Sequence, residues 1–153
     1  MSKFRALELA IDQATRQRDA QARKQAQAQR GLQFAQEQLA QLENYSKDID
    51  TRWIDGRAVN LSGELIKHHY QFMERLQGAV TLQQGVVENL ERQLGVVHQA
   101  VLQAEYRLAG ISSVLKARLS ALQQVQQRRE QRVTDEFAAM LHARRGANRE
   151  ECV

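Results

Sequence analysis

The chain has 153 residues, no proline, 5% aromatic and 42% hydrophobic residues, 22 glutamines and a net charge of +4. A thick β or α/β core is excluded by the shortage of aromatic bulk, each buried aromatic being worth about 150–250 Å², while the missing proline removes the strongest helix breaker. No apolar run nears the ~20 residues of a bilayer span, the first residues carry no secretory signal, and the single cysteine, Cys152, excludes an internal disulfide; the chain is expected to be soluble and cytosolic.

From Phe4, steps of three and four give Leu7, Ile11, Ala14, Arg18, Gln21, Gln25, Ala28, Leu32, Ala35, Leu39, Leu42, Ser46, Ile49 and Trp53, and eleven of these fifteen positions are apolar. An average step of 3.5 is the heptad of a helix packed along a narrow seam. It predicts a first helix over about 3–55, weakest at Arg18 to Gln25, where three successive seam positions are polar. Gly56, Asn60, Ser62 and Gly63 then form a turn signal over about 56–62. Ser62 suits the N-cap of a second helix, with Glu64 in the first turn where the helix dipole favours an anion.

The second helix is predicted over about 63–142, with a seam of Leu65, His69, Phe72, Leu76, Ala79, Gln83, Val86, Leu90, Leu94, Val97, Val101, Ala104, Leu108, Ile111 and Leu115. The two four-residue steps from Val86 to Leu94 make one stutter, which would locally unwind a supercoil. Gly78, Gly85, Gly95 and Gly110 lie inside this helix, at about 1 kcal/mol each relative to alanine. Folding the chain back at the turn is expected to pair Leu7 with Leu108, Ile11 with Ala104, Ala14 with Val101, Leu39 with Leu76, Leu42 with Phe72 and Ile49 with Leu65, and to set Gln21 and Gln25 against Leu94 and Leu90. The fold class is therefore all-α, an antiparallel two-helix coiled-coil hairpin whose C-terminal arm is the longer. Residues 1–145 form one domain and 146–153 a frayed tail. From about Ser112 to Arg145 the second helix has no partner within the chain, yet it carries Leu115, Leu119, Leu122, Val125, Val133, Phe137, Met140 and Leu141. Such a face is expected to be covered by another chain.

No catalytic constellation is present, and the chain is read as a non-enzyme without cofactor, metal or small-molecule substrate. There is no phosphate-binding glycine loop. His68 and His69 are adjacent and point about 100° apart on a helix, while His98 and His142 have no suitably spaced co-ligand. Asp48 and Asp50 are two apart and face different directions. Lys116, Arg118, Arg128, Arg129 and Arg132 make the C-terminal third basic, but Glu130, Asp135 and Glu136 interrupt them. A solvated basic face accounts for that pattern more simply than nucleic-acid binding does.

The glycine-serine turn followed by Leu65, Tyr70, Phe72, Met73, Leu76 and Ala79, the preceding Gln38, Leu42 and Tyr45, and the late Asp135-Glu136-Phe137-Ala138 on a basic helix resemble the FliJ family over about residues 1–145. That resemblance implies a component of the flagellar type III protein-export apparatus, similar in shape to the stalk of rotary ATP synthases. It further implies entry into the hexameric ring of the export ATPase FliI and stimulation of it, contact with the cytoplasmic domain of the export-gate protein FlhA, and escort of export chaperones. The protein would then be cytoplasmic and peripherally associated with the membrane through the apparatus. By the same resemblance the gate-contacting residues are Gln38, Leu42, Tyr45, Phe72, Leu76 and Ala79; Ile49 and Gln83 stand where the family more usually has Tyr and His. Periodicity, by contrast, puts Leu42, Phe72, Leu76 and Ala79 in the seam, leaving Tyr45 as the clearest pure contact residue. Contact with the ATPase ring is assigned to the unpaired segment, through Leu115, Arg118, Leu119, Leu122, Arg128, Arg129, Arg132 and Phe137. The competing readings are the stalk protein of a virulence type III secretion system and a basic nucleic-acid-binding or cytoskeletal coiled coil. Weak self-association through the exposed stripe fits any of them.

Overall fold

A computed structural model of the chain describes residues 2–56 and 62–151. They form two helices, α1 (Ser2–Asp55, 54 residues) and α2 (Gly63–Glu151, 89 residues). The helices are antiparallel, because Trp53 meets His69 while Gln25 meets His98. This is the expected two-helix hairpin with the longer C-terminal helix. α1 ends where predicted. α2 continues past the predicted end near 142 and takes in Gly146 to Glu151, expected as a frayed tail; Ala, Arg and Glu there are compatible with helix and no proline stops it. Residues 57–61 of the predicted turn, and Cys152, lie outside the described residues.

Ser62 caps α2 as expected. Its Oγ accepts from the Leu65 N–H at 3.3 Å, and its carbonyl accepts from the Ile66 N–H at 3.3 Å, the geometry of an N-cap serine bonded to the N3 amide. Glu64 in the first turn and Arg149 in the last both complement the dipole of α2.

The chain divides into two compact units, residues 15–106 and residues 1–14 with 107–153. In the first unit every predicted seam position of α1, from Arg18 to Trp53, is buried or half-buried. On α2 the seam runs His69, Met73, Leu76, Val80, Gln83, Val87, Leu90, Leu94, Val97, Val101 and Ala104, each of them buried or half-buried. This heptad is unbroken, so the expected stutter is absent. Phe72, Ala79 and Val86 are exposed, as is Leu65, and the seam instead takes their neighbours Met73, Val80 and Val87. Both members of each adjacent pair are apolar, so periodicity alone leaves two phases open; the structure buries the β-branched Val80 and Val87, to 4% and 8% exposure.

The pairing is also shifted, by one heptad. Trp53 stacks on His69 with ring centroids 3.8 Å apart and planes 3° from parallel. Stepping away from that pair sets Ile49 to Met73, Leu42 to Val80, Leu39 to Gln83 and Ala35 to Val87, where Leu65, Phe72 and Leu76 were expected for Ile49, Leu42 and Leu39. A heptad seam maps onto itself under a seven-residue slide, so periodicity cannot choose between the two arrangements. The expected pairing would have set Trp53 against Ser62; the observed one gives the indole an aromatic partner. The polar stretch is satisfied differently as well: the Gln25 side-chain amide lies 2.8 Å from His98 Nδ1, and Gln83 Nε2 donates to the Ala35 carbonyl at 3.0 Å. Arg18 pairs with Asp19 at 3.0 Å.

The stack can be read directly, because Trp53 is the only tryptophan. His69→Ala is expected to red-shift its emission and to destabilise the hairpin by about 0.5–1.5 kcal/mol, the worth of an aromatic pair. An unchanged spectrum would place Trp53 elsewhere.

In the second unit Phe4, Leu7, Ile11 and Ala14 are the buried or half-buried residues of the α1 seam, with Leu108, Ile111 and Leu115 on α2. Ile11 borders a hollow with Ser112, Leu115 and Leu119, and Phe4 borders another with Arg118, Leu122 and Val125. The same one-heptad shift therefore sets Leu7 toward Leu115, where Leu108 was expected. The start of α1 runs beside α2 past Ser112, from which no intrachain partner was expected, and the hollow at Phe4 reaches Val125 without covering it. Even so, every described residue from Lys116 to Glu151 is exposed.

Candidate functional site

Two surfaces stand out, one in each unit. The first is built on α1 by Gln38, Leu42 and Tyr45, which recur at helical steps on one side, and on α2 by Phe72 and Ala79, a heptad apart. Gln38, Gln41, Leu42, Tyr45 and Gln83 line a shallow hollow. Tyr45 and Phe72 meet edge to face with centroids 6.4 Å apart and an angle of 82°, yet both rings remain about half exposed, at 52% and 43%. Gln83 is held between its bonds to the Ala35 carbonyl and, at 3.5 Å, to Gln38 Oε1. One wall of the hollow is thereby fixed before any partner arrives.

The six residues assigned to this patch divide. Leu76 is buried at 8% exposure and Leu42 is half-buried, so both belong to the seam. Phe72 and Ala79, which periodicity had also put there, are exposed and free to be contacted. Tyr45 lies outside the seam as expected, although it leans on Phe72. Leu65 and Val86 extend the exposed α2 row to Leu65, Phe72, Ala79 and Val86. Their seven-residue spacing marks a stripe that periodicity alone does not distinguish from the seam itself.

The second surface is the exposed C-terminal run of α2. Of the residues assigned there, Leu115 is half-buried against the start of α1, whereas Arg118, Leu119, Leu122, Arg128, Arg129, Arg132 and Phe137 are all exposed. Among the described residues the only ion pair is Arg18–Asp19, so these arginines carry unneutralised charge. Phe4 and Ile11 also border this surface; the pairing expected from periodicity, Ile11 with Ala104, does not bring them there. Among the described residues no group of three or more His, Cys, Asp or Glu is placed to hold a metal ion, and no helix is long and apolar enough to cross a membrane.

The arrangement defines a class: a coiled-coil hairpin that offers open, partly apolar faces along its sides. The chain belongs to the flagellar FliJ protein family, whose model matches residues 2–147. It is accordingly a component of the flagellar protein-export apparatus, and the family is a non-catalytic one. The comparison with curated proteins found no match, and that with solved structures found none.

Proposed function

We propose that the chain serves as a stalk-like adaptor of the flagellar export machine. Its C-terminal run engages the hexameric ring of the export ATPase FliI and stimulates it. Its Tyr45–Phe72 face contacts the cytoplasmic domain of the export-gate protein FlhA, and the hairpin escorts export chaperones. The protein acts in the cytoplasm, held at the membrane's cytoplasmic face through the apparatus. The observation that carries this reading is the exposure of every described residue from Lys116 to Glu151, although Leu119, Leu122, Val133 and Phe137 are among them. Large apolar side chains gathered on an otherwise charged helix mark a surface that binds. No chemistry is required of this chain: a rod contacting the subunits of a ring unequally shifts their conformational populations by differential binding.

The start of α1 reaches along α2 no farther than the hollow that Phe4 and Val125 border, so a chain ending there separates folding from stimulation. It is expected to keep its two-helix circular-dichroism signal and melting transition while stimulation of the purified ATPase falls by about tenfold or more, as when interface hot spots are removed. Undiminished stimulation refutes the placement. Tyr45→Ala with Phe72→Ala is expected to weaken binding to the FlhA cytoplasmic domain and to leave ATPase stimulation intact.

A further inference from the structure

The hairpin seam does not continue into the C-terminal run. Beyond Val125 the seam positions are Arg129, Arg132 and Glu136, and the apolar residues move to a neighbouring face. That face carries Leu119, Leu122, Gln126, Val133, Phe137 and Met140, at three- and four-residue steps that pass through Arg129 or Glu130 at the centre; Gln126 is its one uncharged polar member. Its apolar members are 45% to 65% exposed.

We infer that this face docks on a second copy of the same chain, antiparallel, about a two-fold axis between Arg129 and Glu130. Read backwards, the stripe falls on itself. Leu122 meets Phe137 of the partner subunit, Leu119 meets the partner's Met140, Gln126 meets the partner's Val133, and at the centre Arg129 faces the partner's Glu130, twice by symmetry. Such self-complementarity is what an isologous interface requires. The charges also choose the register. A slide of one heptad in one direction sets Arg129 against the partner's Phe137, and a slide in the other sets Glu130 against the partner's Leu122; both bury a charge on an apolar side chain. Neither Arg129 nor Glu130 is in an ion pair among the described residues, so both are available. The hollow at Phe4, Arg118, Leu122 and Val125 adjoins Leu122, where the partner's Phe137 arrives. The dimer does not depend on the export reading. Its corollary does: Leu119, Leu122, Arg129 and Phe137 cannot serve a dimer and an ATPase ring at once.

Sedimentation equilibrium of the full chain over rising concentration tests the pairing. The weight-average mass is expected to climb from 17.5 kDa toward twice that value. Glu130→Arg alone and Arg129→Glu alone each turn both central pairs repulsive and are expected to weaken association on the order of tenfold, with helicity unchanged because both sites are exposed. An equimolar mixture of the two variants again joins opposite charges at the centre and is expected to recover the mass increase. A mass that stays at one chain throughout, variants that associate like the parent, or a mixture no better than its components would each overturn the proposal.

Discussion

Val80→Asp is expected to unfold the hairpin around its middle, whereas Ala79→Asp is expected to leave it folded. The two residues are neighbours in the chain and both are apolar, yet Val80 is 4% exposed and Ala79 lies on the open face. A carboxylate at Val80 loses its water without gaining a cation, since its seam neighbours Leu76, Gln83 and Val87 offer none. Breaking or omitting the partner of a buried charge costs about 3–5 kcal/mol, a large part of the 5–15 kcal/mol that typically separates a domain from its unfolded state. At Ala79 the same carboxylate stays hydrated, and the cost is limited to helix propensity, about 0.7 kcal/mol or less. Urea titration followed by circular dichroism separates the outcomes by several kcal/mol. The order would reverse if Ala79 faced α1, so the pair of variants decides the phase of the seam.

Replacing Gly78, Gly85, Gly95 and Gly110 together with alanine is expected to stabilise the chain by about 3–4 kcal/mol, since each glycine costs roughly 0.8–1.0 kcal/mol relative to alanine in a helix interior. Two observations make the gain accessible. A Cβ added at any of the four meets nothing within 4 Å, and no glycine among the described residues has a positive φ. The sites are seven or more residues apart in one helix and share no contact, so their effects should add. Thermal melts of the single and quadruple variants check this. A quadruple variant no more stable than the parent would mean that the helix is already limited elsewhere, at the polar seam positions Arg18, Gln21 and Gln25. The same variant also tests function: if export needs a yielding α2, it should be stiffer and less active in a motility assay.

Much of the fold is legible in the residues. Every α1 seam position from Phe4 to Trp53 is withdrawn from solvent, because a helix with a 3.5-residue apolar period has only one face it can bury. The Ser62 cap is legible for a similar reason, since a hydroxyl just before a helix has few competing partners. The candidate surface is only half legible. Tyr45 stands off the seam in either phase, but periodicity alone cannot tell Phe72 and Ala79 from core; the burial of Val80 and Val87 and the half-burial of Met73 decide it.

What the sequence determined by itself is local: two long helices, their capped junction, and the stripe along which α1 packs, all following from side-chain periodicity and backbone propensity within a few turns. The tertiary structure alone decided which of two adjacent apolar rows of α2 turns inward, and which heptad faces which. Both choices are degenerate locally, because neighbouring apolar residues and seven-residue slides leave the pattern unchanged. The degeneracy is lifted only by particular meetings across the seam, among them Trp53 on His69 and Gln83 on the Ala35 carbonyl.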